Sequence, residues 1–299
     1  MSRGWGDTSA PPSSMGGVTG STESTLSTFV ASDGDNIAVQ DWPIEKEQKL
    51  RGVVLLVHGL GEHAGRYDHV AQRLNRWGFA VRGYDLYGHG ESGGVRGGLP
   101  SDNRLLEDLA DIVDSTRNRM PPGYPLILLG HSMGGLVAGL FTARAIRPVD
   151  ALVMSSPSLD PGLSRFQRLL VAVLPRFAPD LRVSNALDVS KLSHDPAVVS
   201  AYKSDKLVHD RISARLAKFI ADGGAETMAA AAAWKTPTLL MFAGQDKLVA
   251  PAGSRAFAAR APNGVVTAQC FELMYHEIFN ELDAEPVFAA FKAWLDARY

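Results

Sequence analysis

The 299-residue chain predicts an α/β fold: a mostly parallel twisted sheet with helices on both faces and a helical lid inserted after the sixth strand. Two observations carry this prediction. Short runs dominated by Val, Ile, Leu and Phe alternate with stretches of helical periodicity, and those runs are apolar throughout rather than at every second position. Strands apolar on both faces belong to a parallel sheet covered on both sides. The alternation then stops between Pro157 and Ala233, where helical stretches follow one another without a convincing strand.

Taken in order, residues 1–24 are rich in Gly, Ser, Thr and Pro and lack the apolar centre of a signal peptide, so they read as a disordered leader. A hairpin follows, Ser27 to Val30 and Ile37 to Trp42, turning through Asp33-Gly34-Asp35. The remaining strands are Val53–Val57, Phe79–Tyr84, Leu126–Leu129, Ala151–Ser155, Thr238–Phe242 and Val265–Phe271. Leu105, Leu109, Ile112 and Thr116 mark the inner face of one helix, whose outer face carries Glu107, Asp111 and Asp114. Phe288, Phe291, Trp294 and Leu295 mark the last helix. Residues 25–156 and 234–299 thus form the core, and 157–233 the lid over the strand ends. Within the lid, Phe166, Leu169, Leu170, Val173, Leu174 and Phe177 make a helix apolar on most of its surface. Such a helix either buries both sides or meets lipid on one.

Composition narrows the function. A hydrophobic content of 45% supports one large domain with an insertion. A net charge of −2 without a basic stretch argues against nucleic acid. No apolar run approaches the ~20 residues needed to cross a bilayer. Cys270 is the only cysteine, so no intrachain disulfide can form, and its place in a strand makes it a small buried residue. A cytoplasmic enzyme fits best.

The most informative segment is Pro125 to Gly135, where an apolar strand runs into Gly130-His131-Ser132-Met133-Gly134 and a helical run follows at once. This is the context of a nucleophile elbow, a turn so sharp that the serine is strained and presented at the sheet tip. Gly130 and Gly134 sit where any Cβ would crowd the crossing. A serine hydroxyl needs a base, and the base an orienting acid. Asp246 follows one strand end and His276 another, in the order Ser, Asp, His, and strand ends on one edge of a parallel sheet converge. Asp160, after the preceding strand, is the reserve acid. Two backbone N–H groups must also face the developing oxyanion. Met133 supplies one. Leu60, in the glycine loop His58-Gly59-Leu60-Gly61-Glu62-His63, is expected to supply the other.

These segments carry a resemblance. Together with Ala64-Gly65-Arg66-Tyr67, Asp85 to Ser92, Gly244 to Val249 and Tyr275-His276-Glu277, they resemble α/β-hydrolases of the monoacylglycerol lipase and lysophospholipase group, near the serine aminopeptidases. The resemblance covers about residues 26–299 in family order, with no recognised motif between Pro157 and Ala233. It implies Ser132, Asp246 and His276 as triad, Leu60 and Met133 as oxyanion hole, and Glu62 and Arg66 at the polar end of the pocket, where a glycerol head group would sit. Phe279 departs from relatives that carry a polar residue there.

Two other motifs lead nowhere. Gly88 to Gly93 spells a dinucleotide fingerprint, but Gly94, Gly97, Gly98 and Pro100 delay the helix it should open, so that turn braces the sheet instead. His58, His63, His69 and Glu62 lack the spacing of a metal site. The expected chemistry is cofactor-free, metal-free hydrolysis of a small lipid ester through an acyl-enzyme on Ser132. Phe166, Leu170 and Leu174 are expected to contact the acyl chain, with transient membrane contact through the lid. A lysophospholipase, a general short-chain carboxylesterase, a peptidase and a non-catalytic receptor on the same fold remain alternatives.

Overall fold

Residues 23–299 are described by a computed structural model. The leader expected over residues 1–24 therefore lies outside the described residues, save for its last two. The strands are β1 (Thr25–Val30), β2 (Asn36–Trp42), β3 (Gly52–Val57), β4 (Phe79–Tyr84), β5 (Leu126–His131), β6 (Ala151–Ser155), the short β7 (Arg182–Ser184) and β8 (Arg211–Ser213), β9 (Thr238–Ala243) and β10 (Val266–Phe271). The α-helices are α1 (Asp68–Arg76), α2 (Arg104–Arg119), α3 (Met133–Ala143), α4 (Arg165–Val173), α5 (Pro196–Ser204), α6 (Ala214–Ala230), α7 (Pro251–Arg260) and α8 (Glu285–Asp296).

Eight strands form one sheet in the order β1-β2-β4-β3-β5-β6-β9-β10. The hairpin enters antiparallel, β1 on β2 and β2 on β4, and every later pairing is parallel. The pleat explains why the central runs are apolar at every position. Val53, Leu55 and Val57 of β3 face a core that includes α2, α3, α6 and α7, whereas Val54 and Leu56 face a second core under α1 and α8. The same alternation holds in β5 and β9.

The insertion divides into two parts. α4 buries none of its residues, while α6 packs along α3 with Leu216, Phe219 and Ile220 inside the core. A small residue permits that contact: a Cβ on Gly223 would meet Leu140 Cδ2 of α3 at 3.1 Å. α6 therefore belongs physically to the core although it lies within 157–233. The insertion also holds a ribbon, β7 antiparallel to β8, where the sequence reading found no strand. Each strand is three residues long, too short for periodicity to register. Cys270 differs from expectation too. β10 is a sheet edge, so the cysteine is only partly buried and its Sγ lies 3.3 Å from Arg255 Nη2.

The crossing from β5 to α3 is closed backbone against backbone. A Cβ on Gly134 would sit 2.1 Å from the Val57 carbonyl oxygen, and one on Gly130 would sit 2.3 Å from the Gly134 carbonyl oxygen. Gly134→Ala is expected to cost about 3 kcal/mol, since backbone on β3 cannot yield. Gly139→Ala, also on α3, would meet only the Met154 and Thr227 side chains at 3.3 Å and should cost markedly less. Urea denaturation of the two variants checks this, and equal losses would contradict the backbone clash.

Candidate functional site

The sequence dictates the first element locally. β5 ends at His131, α3 begins at Met133, and Ser132 between them adopts φ 54°, ψ −119°. That region is nearly forbidden to a residue with a side chain and costs on the order of 1–3 kcal/mol. Backbone bonds on both sides hold it: the Ser132 N–H donates to the Ser155 carbonyl at 2.9 Å, and the Ser132 carbonyl accepts from Leu136 and Ser158.

Asp246 and His276 come from the loops after β9 and β10. The His276 Nδ1–H donates to Asp246 Oδ2 at 2.6 Å, while Asp246 Oδ1 accepts the backbone N–H groups of Leu248 (2.8 Å) and Val249 (3.0 Å). Both side chains are buried. Burial opposes the charged form of each, but their mutual attraction outweighs it, holding the Asp246 carboxyl below the usual carboxylate range and raising the His276 imidazole above its ordinary value. The orienting bond leaves His276 Nε2 as the ring atom available for proton transfer. Asp160 is occupied elsewhere, its carbonyl accepting from Ala250 and its carboxylate from Gly162, so the reserve acid makes no bond to the imidazole.

Ser132 and His276 share one cavity of about 190 Å³ with Leu60, Met133, Glu62 and Glu277. Its other walls are largely apolar: Leu163, Val171, Leu187, Ile212, Ile220 and Leu248 among them. Met133 opens α3, so its N–H has no partner within the helix. Among the described residues, neither that amide nor the Leu60 amide donates to a backbone carbonyl.

The loop that carries Leu60 is fixed from several sides. His58 donates from Nδ1 to the Gly59 carbonyl (2.8 Å) and accepts at Nε2 from the Leu86 N–H (2.9 Å), which defines a neutral tautomer; its burial lowers the imidazole's affinity for a proton. Asp85, beyond β4, accepts from the backbone of Ala64 and Glu91 at 2.8 Å each, and the glycine turn is joined to β2 where the Gly93 N–H donates to the Asn36 carbonyl and Ser92 Oγ accepts from Ala38, both at 2.8 Å. His63 pairs with Asp205 of the insertion at 2.8 Å, and the His209 N–H donates to the Gly61 carbonyl at 2.9 Å.

Glu62 and Arg66 behave differently from the expected head-group contacts. Glu62 lines the cavity, but Oε1 already accepts from the Gly59 N–H and the Tyr67 hydroxyl, both at 2.6 Å, and Oε2 from Arg66. Arg66 does not line the cavity at all. Its guanidinium is held between Glu62 and Glu277 and lies over the Tyr202 ring at 4.7 Å, so both Nη atoms are engaged by carboxylates. Burial would raise the Glu62 carboxyl, yet Arg66, His131, His58 and the Tyr67 hydroxyl together more than offset this and hold it at about 2.

Phe166, Leu170 and Leu174 need a second correction: none lines the cavity. Phe166 is 68% and Leu170 43% exposed, because α4 turns Val171 inward and presents the rest of its apolar surface outward. Sequence reasoning missed Val171, Tyr202, Glu277 and His131. His131 lines the cavity with its ring 4.8 Å from that of His276, and burial plus that neighbour push its imidazole down to about 4. Glu277 had a signal, its place directly after His276, whereas nothing local marked Tyr202.

An eight-stranded sheet of this order, with a serine turned out at a strand-to-helix elbow, is the architecture of the α/β-hydrolases. Residues 48–283 match the family described as serine aminopeptidase, S33. The chain belongs to this family, in its monoacylglycerol lipase-like group. It is 36% identical over 270 residues to the monoacylglycerol lipase of Mycolicibacterium smegmatis, covering 89% of this chain and 95% of that one. It is 31% identical to phospholipase YtpA of Bacillus subtilis, covering 82% and 95%. The crystal structure of the Paleococcus ferrophilus monoacylglycerol lipase superposes with a TM-score of 0.77 at 35% identity, covering 89% and 99%.

Neutral His276 is the form able to accept a proton, and its pKa is raised. With His276 as the proposed base, activity should fall as pH drops through a value above the ordinary imidazole 6.5. Asp246→Asn should lower kcat on the order of 10⁴-fold and move that acid limb down. A pH–rate profile of kcat/KM checks both, and an unmoved limb would separate Asp246 from the base.

Proposed function

We propose that this protein is a monoacylglycerol lipase. Ser132 attacks the ester carbonyl, His276 takes the proton from Ser132 Oγ and returns it to the departing glycerol oxygen, and Asp246 orients the imidazole and stabilises its charged form. The Leu60 and Met133 amides receive the oxyanion. Water, activated by the same imidazole, then releases the fatty acid. The carrying observation is the polarity of one cavity: Ser132 and His276 share it with a largely apolar lining that includes Leu163, Val171, Ile212 and Ile220, a surface suited to an acyl chain.

The phospholipase relative raises lysophospholipid as a second substrate class. The charged groups on the cavity wall are Glu62, Glu277 and the triad imidazole, with no Lys or Arg among them. The nearby guanidinium of Arg66 is held between those two carboxylates, so the wall offers a phosphate no free cation, which supports the neutral glycerol ester.

The outward face of α4, with Phe166, Leu169, Leu170 and Val173 exposed and Phe177 just beyond, is proposed to rest on the lipid surface that holds the substrate. Among the described residues no helix is long and apolar enough to cross a membrane, so contact would be peripheral. A lone cysteine is compatible with a cytoplasmic site of action.

Each buried CH₂ contributes about 0.8 kcal/mol, so kcat/KM on p-nitrophenyl esters should rise on the order of tenfold or more over a few added carbons before the cavity fills. Flat dependence would recast the enzyme as a short-chain carboxylesterase, and faster cleavage of lysophosphatidylglycerol than of monoacylglycerol would favour the second class. The two faces of α4 separate by mutation. Val171→Asp should depress long esters in solution far more than acetyl esters. Leu170→Asp should spare both while reducing cosedimentation with vesicles. Equal effects of the two variants on soluble long esters would contradict the assignment of faces.

A further inference from the structure

Three charged side chains lie buried beside the proposed triad: Glu62 is 3% exposed, Glu277 4%, and the Arg66 side chain 11%. Arg66 Nη1 donates to Glu62 and to Glu277 Oε1 (2.7 Å), and Nη2 to Glu277 Oε2 (2.8 Å), a forked pairing across 211 residues of sequence. Asn280 Nδ2 donates to Glu277 Oε2 at 2.8 Å, and the Glu277 N–H donates to the Leu192 carbonyl at 2.8 Å, so the glutamate is fixed at both ends. At the far side, Glu62 Oε1 takes the Gly59 N–H, and a Cβ at Gly59 would lie 2.8 Å from that oxygen and 3.3 Å from Ser132 Cβ. Only a glycine amide fits between the carboxylate and the serine.

The bonds run without a gap from the residue after His276 to the residue before Leu60. A buried ion triad is a weak source of stability, since apolar side chains of similar volume often serve as well. What apolar groups cannot do is accept the Gly59 N–H and thereby set the peptide that leads into Leu60. We propose that Glu277, acting through Arg66 and Glu62, is a positioning residue that holds the Gly59–Leu60 loop in register with His276. The inference rests on the ester-hydrolase reading of the site and not on the identity of the alcohol.

The test uses p-nitrophenyl butyrate, which a serine esterase cleaves whatever its natural substrate, with active sites counted by a fluorophosphonate. Glu277→Gln should lower kcat about 10- to 100-fold while KM stays within about threefold, because a displaced oxyanion donor costs transition-state binding rather than substrate binding. Affinity for butylboronic acid, whose tetrahedral adduct places an oxygen between the Leu60 and Met133 amides, should fall by a similar factor. Arg66→Lys should not rescue, since an ammonium cannot supply the fork. The groups facing His276 are Asp246, His131, Glu62 and Glu277. Removing one negative charge should therefore shift the acid limb of kcat/KM to lower pH. Tyr67→Phe, which deletes one bond at Glu62 and leaves every charge in place, should lower kcat severalfold and covers the case in which Glu277→Gln does not fold. The proposal is overturned if kcat per counted site is unchanged in these variants. It is also overturned if only KM for monoacylglycerol rises, which would make the cluster a head-group contact. Failure of the wild type to prefer monoacylglycerol would count against that substrate alone.

Discussion

The structure hangs on how closely α3 approaches the sheet behind Ser132. Gly134 lies so near the Val57 carbonyl that the helix is wedged against β3, and this wedge holds the serine in a conformation the chain would otherwise leave. Strain of this kind persists only where the surroundings overdetermine it. Here the surroundings are β3, β6 and the start of α3, all buried on both faces. The large two-sided core is therefore tied to the proposed reaction: it supplies the rigidity that a strained serine requires if it is to serve as nucleophile.

From that fixed point the other proposed groups are located by loops at one edge of the sheet. The acid and base follow β9 and β10, and the oxyanion loop follows β3. Loops alone would let these groups drift by more than catalysis tolerates. Buried polar bonds prevent it: His58 ties the glycine loop to Leu86, Asp85 ties it to Glu91, and Glu281 holds the Tyr275 N–H at 2.6 Å, next to His276. The insertion is fastened to the same loop by His63–Asp205 and His209–Gly61, so cavity wall and oxyanion loop share attachments.

Much of this was legible in the sequence, for identifiable reasons. The strands of the main sheet, the elbow and the order Ser132, Asp246, His276 are written in local patterns, apolar runs ended by Gly, Asp or His. The face of α4 was not legible, because a helix apolar nearly all round gives periodicity no contrast between Val171 and Leu170. The fate of Arg66 was hidden as well. Its place in the motif suggested a ligand, but its partner Glu277 lies in a distant loop, and no spacing rule joins the two. Cys270 was read as buried because strand order across a sheet, and hence which strand forms the edge, is not a property of one strand's residues.

α4 has a further consequence. The helix buries no residue, and its start is secured by its own capping box, Ser164 with Gln167. It is thus held by its cap and by its packing on α6 rather than by side chains buried in the two cores that support the elbow. Substitutions there should carry little penalty for folding, so the inner wall at Val171 and the exposed apolar surface outside can change in sequence while the strained serine stays in place. The fold thereby separates what evolution must keep from what it is free to vary. A change on either face of the helix is kept apart from the crossing that holds Ser132.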